Sequence, residues 1–176
     1  MSRNTRKEPL VTKLTRSGVN HGTFLHIAHE EGLLLANQSI HAGIRAPVFD
    51  GGDIENDAKC GFAMITARDI DRLTPAGVVK KIKDRVGDSL VYISVDIDVL
   101  DPAYAPATGT PEVGGWTTRE FLTILDGLKN LKIVGGDVVE VSPPFETVAE
   151  ITCLAAAEIA NSLITLMVDA PILSKS

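Results

Sequence analysis

Residues 89–98 read Ser-Leu-Val-Tyr-Ile-Ser-Val-Asp-Ile-Asp, an apolar run that ends in two acids. Ser89–Val95 is almost wholly apolar or β-prone, the pattern of a strand covered on both faces. It runs straight into two carboxylates, Asp96 and Asp98. Two positions apart in extended chain, they are expected on one side of the strand end. Like charges held that close disfavour joint ionisation unless a cation or proton sits between them. A hard divalent metal with oxygen ligands is the chemical solution.

On both sides of this run the same grammar repeats. Upstream, Thr74-Pro75 opens a helix as N-cap and first helical residue. Val78, Val79, Ile82 and Val86 form its apolar stripe, and Gly87 ends it. Ser39–Ile44 and Phe62–Thr66 are short strand candidates. Downstream, Thr117 and Glu120 form a capping box before Phe121, Leu122, Leu125 and Leu128. Leu131–Val139 is the next strand. Thr147 and Glu150 form a second box, opening a helix to about Val168. Helices alternating with apolar strands predict a parallel α/β sheet built from βαβ units.

Ligands of such sheets bind beyond the carboxyl ends of the strands. The strand Lys-Ile-Val-Gly-Gly-Asp-Val-Val-Glu-Val, residues 132–141, brings Glu140 to that edge. A carboxylate there suits a cationic group of a substrate. Asp137, earlier in the strand, is expected to accept structural hydrogen bonds. Between the two strands, residues 101–115 hold three Pro and three Gly. That makes a long loop rather than an element, and long loops on such scaffolds carry function. Thr108, Gly109 and Thr110 would bring backbone and hydroxyls toward a ligand. His26 and His29 sit three apart on a short helix. Their His-Ile-Ala-His-Glu run matches neither zincin order, so they are read as exposed helix residues rather than a zinc pair.

Composition narrows the classes. The chain has 176 residues, 44% hydrophobic and 23% charged, with a net charge of −6. That fits one globular domain and no disordered chain. An acidic chain without a basic patch is a poor nucleic-acid binder. Cys60 and Cys153 stand far apart, as two reduced thiols rather than a disulfide framework. No secretory leader is visible, which leaves localisation open, with the cytoplasm as the default expectation. Ile151–Val168 approaches membrane-spanning length but contains Glu158, Asn161 and Ser162, so a core helix is expected and no membrane partner. Residues 1–17, with three Arg and two Lys, are read as an atypical, disordered arm, and 18–176 as one domain.

The run SVDIDVLDPAYAPATGTPEVGG (94–115), with GGDVVEVSPP (135–144) and ETVAEITCLAAAEIANSL (146–163), resembles the carboxyl-terminal half of the ureohydrolase family of arginases and agmatinases. NHGTFLHIAHEEGL (20–33) and SIHAGIR (39–45) look agmatinase-like. The resemblance implies a three-layer α/β/α sandwich around a mostly parallel sheet, and homo-oligomers. It implies hydrolysis of a small guanidino compound, such as agmatine, to urea and an amine by a pair of manganese ions. On this chain it assigns Asp96 and Asp98 to metal, His21 to proton shuttling, Glu140 to the substrate guanidinium and Thr110 to the substrate. The family's two earlier motifs, Gly-Gly-Asp-His and Asp-Ala-His-x-Asp, are missing: Gly51-Gly52-Asp53 is followed by Ile54, and no Asp-Ala-His occurs. Two ligands of a six-residue set imply an amino-terminally truncated ureohydrolase with at most partial manganese binding, expected to be inactive alone. One alternative is a non-catalytic chain that associates with full-length subunits. Another is a haloacid-dehalogenase-type phosphatase, whose Asp-x-Asp strand end Asp96 and Asp98 imitate, but the interval to Asp137 is too short for that core.

Overall fold

The structure, a computed structural model, describes residues 19, 20, 22–45 and 52–171. Its elements are α1 (Phe24–Glu30), β1 (Ser39–Ile44), α2 (Gly52–Lys59), β2 (Phe62–Thr66), α3 (Ile70–Val86), β3 (Leu90–Asp96), α4 (Thr118–Gly127), β4 (Lys132–Val139) and α5 (Ile151–Val168). The two strand pairs β1–β2 and β3–β4 are both parallel, and each is joined through a helix, as the alternation predicts. Val91 pairs with Ile133, the register then shifts, and Ser94 pairs with Asp137 and Asp96 with Val139. The two carboxyl ends therefore share one edge, with Glu140 one residue beyond the last pair.

The core lies between the sheets and α3, α4 and α5. Ile65, Val78, Val95, Ile97, Leu125 and Ile159 are each at most 3% exposed. Burying an aliphatic side chain of this size stabilises by about 1.5–3 kcal/mol. Close approach of α3 and α4 depends on Gly127, where an added Cβ would lie 2.5 Å from Val79 Cγ2. Helix α5 buries Thr152, Ala155, Ile159, Leu163 and Leu166, a single face at helical spacing. It is long and apolar enough to span a membrane by length and composition, with a mean hydropathy of 1.8, yet that face is seated on β4.

Three local expectations change. Helix α3 begins at Ile70, not Pro75, and breaks at Thr74, whose φ and ψ are 61° and 164°. The proline excludes the α conformation from the residue before it, so the main segment does restart at Pro75. At α5, Glu150 does not close a box with Thr147. It takes φ 53° and makes no side-chain cap, while the Glu146 carboxylate accepts from the Thr147 and Cys153 N–H groups at 2.8 Å each. In β3, residues 90, 92, 94 and 96 are exposed while 91, 93 and 95 face inward. Leu90 is 56% and Tyr92 61% exposed, so among the described residues one face of this strand is open rather than both being covered.

Candidate functional site

Asp96 closes β3, and the chain then turns through a 3₁₀ segment, Ile97–Val99. Ile97 and Val99 are buried, which leaves Asp98 between them directed outward. Asp96 Oδ1 accepts the Asp98 N–H at 3.1 Å and so caps the turn. The turn thus brings the two carboxylates together, where strand alternation alone was expected to do so. Thr110 Oγ1 donates to Asp98 Oδ2 at 3.3 Å, which places the loop hydroxyl in the same cluster.

The loop is closed on itself before it reaches Thr110. Asp101 Oδ1 accepts from Ala103 N–H at 3.0 Å and its Oδ2 from Gly114 N–H at 2.8 Å. The Trp116 N–H donates to Val99 O at 3.0 Å and the Asp101 N–H to Trp116 O at 2.9 Å. Trp116 is 1% exposed and gives its indole N–H to Ala67 O at 2.9 Å, which ties the loop end to the turn after β2. Arg45, just after β1, donates to the carbonyls of Asp98, Leu100 and Glu112. At the other limb, Ala107 O accepts the Ser142 N–H at 2.9 Å, and Thr108 bridges Val141. Thr108 is thereby buried beside the segment that follows Glu140. Glu140 itself takes a left-handed φ of 62°.

Electrostatics mark the same place. Although Asp96 is exposed at the strand end, the protein packed around its carboxyl group desolvates it and pushes it up to about 6; the Asp98 N–H opposes that rise, and the Asp98 and Glu140 carboxylates reinforce it. Two carboxylates acting on a third at the strand end form a place complementary to a cation. Among the described residues no group of three or more His, Cys, Asp or Glu is disposed to hold a metal. The donor set therefore does not fit a two-ion centre. Two carboxylates with free oxygen lone pairs do fit one hard divalent ion that keeps much of its water.

Asp96, Asp98, Thr110 and Glu140 are thus gathered, while His21 lies outside the described residues. His26 and His29 are half-buried rather than exposed. His26 Nδ1 lies 3.3 Å from Cys60 Sγ and its Nε2 3.9 Å from Glu30, so this histidine ties α1 to the end of α2. Asp137 accepts from Tyr92 Oη at 2.8 Å and Ser94 Oγ at 2.7 Å, the structural role its position suggested. Arg45 and Asp101 were not singled out from the sequence. Arg45 carries one weak signal, a position at the carboxyl end of a parallel strand; the Asp-Pro turn was the signal for Asp101.

Parallel α/β strand pairs with a cluster of carboxylates and a threonine hydroxyl at their carboxyl edge place the candidate site where ligands of such sheets bind. The Arginase family model matches residues 9–165, and the chain belongs to that family. It is 53% identical over 159 residues to putative agmatinase 3 of Schizosaccharomyces pombe, a match covering 90% of this chain and 39% of that protein. It is 43% identical over 145 residues to the agmatinase of Escherichia coli strain SE11, covering 82% and 44%. Among solved structures it superposes on proclavaminate amidino hydrolase from Streptomyces clavuligerus with a TM-score of 0.77 at 39% identity, over 84% of this chain and 49% of that one. It superposes on a hypothetical agmatinase from Burkholderia thailandensis with a TM-score of 0.74 at 36% identity, over 84% and 44%. The fold is arginase-like. The chain spans about two fifths of the length of these curated relatives.

Proposed function

We propose that this chain carries the carboxylate half of an agmatinase-like, guanidino-hydrolysing site. The supporting observation is the convergence of Asp96, Asp98 and Glu140 at one strand edge, where desolvation, with a smaller push from the other two carboxylates, raises Asp96 to about 6. In this reading Asp96 and Asp98 hold one manganese ion, whose chemistry when bound is a lowered pKa for water. Glu140 presents two carboxylate oxygens to a planar guanidinium, a pairing favoured by charge and by parallel N–H geometry. Thr110 steadies Asp98 and faces the same space. His21 moves the proton. Agmatine leads as substrate because the curated relatives named above are agmatinases. The remaining ligands of a two-ion centre have no counterpart among the described residues, so the chain by itself does not turn over substrate.

The open face of β3 supports a second reading, a non-catalytic chain that associates with longer subunits. The family match runs through both Asp96 and the loop, which leaves the phosphatase reading without support.

Calorimetric titration with manganese chloride tests the site. One weak binding event is expected, lost in the Asp96→Asn/Asp98→Asn double variant. Heat that survives unchanged in that variant overturns the assignment. Urea release from agmatine at a rate near that of a longer relative overturns the half-site reading.

A further inference from the structure

We infer that Arg45 is a positioning residue that sets the spacing between Asp98 and Thr110, an inference resting on the site proposed above. Arg45 follows β1 and so belongs to the strand pair that carries neither residue. Its Nε donates to Glu112 O at 3.0 Å, and its Nη2 donates to Glu112 O at 2.6 Å, to Leu100 O at 3.3 Å and to Asp98 O. One planar group thereby grips two limbs of the loop: the turn that carries Asp98, and the stretch two residues beyond Thr110. The two side chains meet at 3.3 Å between Thr110 Oγ1 and Asp98 Oδ2. Both ride on backbone held by the same guanidinium.

The loop does not need Arg45 merely to close. Asp101 and Trp116 already fasten its base through the Ala103 and Gly114 N–H groups and the Val99 and Trp116 carbonyls. Arg45 adds the register of one limb against the other. A guanidinium suits this because its five N–H groups lie in one rigid fork, whereas an ammonium is a compact point donor on a flexible stem. Changing a group that orients the ligands of a metal site typically costs about 10–100-fold in metal affinity.

The full chain is compared with Arg45→Gln and Arg45→Lys by manganese titration, by metal-free thermal melting, and by hydrogen exchange over residues 96–116. Manganese affinity should fall about tenfold or more in the Gln variant. The Lys variant should restore it only in part. Faster exchange should be confined to the Asp98–Leu100 and Thr110–Glu112 stretches. Wild-type affinity in the Gln variant overturns the inference, even where exchange is faster, because the clamp would then be structural only. Full restoration by lysine also overturns it, and the lysine variant decides alone where the Gln variant does not fold. A wild-type chain that takes no manganese refutes the metal assignment separately. Exchange then decides: unchanged rates in the two stretches overturn the clamp, and selective loss of protection upholds it.

Discussion

At Thr108 a buried hydroxyl has been placed where nothing among the described residues answers it. The side chain is 3% exposed and its Oγ1 has no hydrogen-bond partner. Burying an unpaired polar group costs about 1–3 kcal/mol. Thr108→Val keeps the shape and removes the cost, so chemical denaturation should show a gain of about 1 kcal/mol; a loss would mean that the hydroxyl is answered. Trp116 behaves oppositely. Its ring is enclosed, its N–H is answered by Ala67 O, and it lies 6.3 Å from Phe121 between ring centroids. Trp116→Ala should cost about 3–5 kcal/mol in the same experiment. The clustering of the acidic residues of the candidate site was legible because an apolar strand running into two neighbouring carboxylates places both at its end, and the roles proposed for them come from the family resemblance. Arg45 was not legible. Its partners are backbone carbonyls 53 to 67 positions away, and a carbonyl leaves no mark on a sequence. His26 was misjudged for a related reason: its surroundings include Cys60, on the far side of β1, which helix periodicity alone does not reveal.

Helices and strands were read more reliably than their ends. The Thr117–Glu120 box forms as expected, with the Glu120 N–H donating to Thr117 Oγ1 at 3.1 Å and the Thr117 N–H to Glu120 Oε2 at 2.8 Å. The box expected at α5 fails because Glu146, not Glu150, accepts the amides at the helix start, and Glu150 itself takes a left-handed φ. The consequence is a pH dependence. Burial alone would raise the Glu146 carboxyl, but the N–H groups of Thr147, Cys153 and Thr152 outweigh it and hold it at about 2 instead of the ordinary 4.5. Between those values the folded chain binds fewer protons at Glu146 than the unfolded chain, so stability rises with pH there. The contribution is complete above about 4.5 and is lost as pH falls toward about 2. Glu146→Gln should therefore lower the melting temperature at neutral pH. The gap between variant and wild type should narrow as the medium is acidified through that window. A gap that is constant with pH would show that the helix start is held by something other than the charge.

The whole molecule is α/β, with parallel strand pairs and helices layered against them, as the alternation of apolar runs dictates. What alternation does not reveal is which surfaces find a cover. The apolar run of β3 asks for burial on both sides, and one side receives it. On this sheet Leu90, Tyr92, Val134 and Val139 are each at least 38% exposed, and among the described residues β3 and β4 each have one unpaired edge. Long open edges beside exposed apolar side chains template association with another chain. The Asp137 carboxylate, held by Tyr92 and Ser94, places one polar group on this sheet but leaves Leu90 and Val134 unguarded. The chain on its own should self-associate at about micromolar concentrations, with a sedimentation coefficient that grows with concentration. Leu90→Lys/Val134→Lys places two charges on the exposed positions, where they need not be desolvated in the monomer. The variant should sediment as a single smaller species with little loss of melting temperature, since neither side chain contributes to the buried core. A wild-type chain that stays monomeric over that range would show that the open strands do not template association. A lysine variant that associates as strongly as wild type would move the sticky surface elsewhere, with the exposed Leu154, Ile164 and Val168 of α5 as the next surface to test.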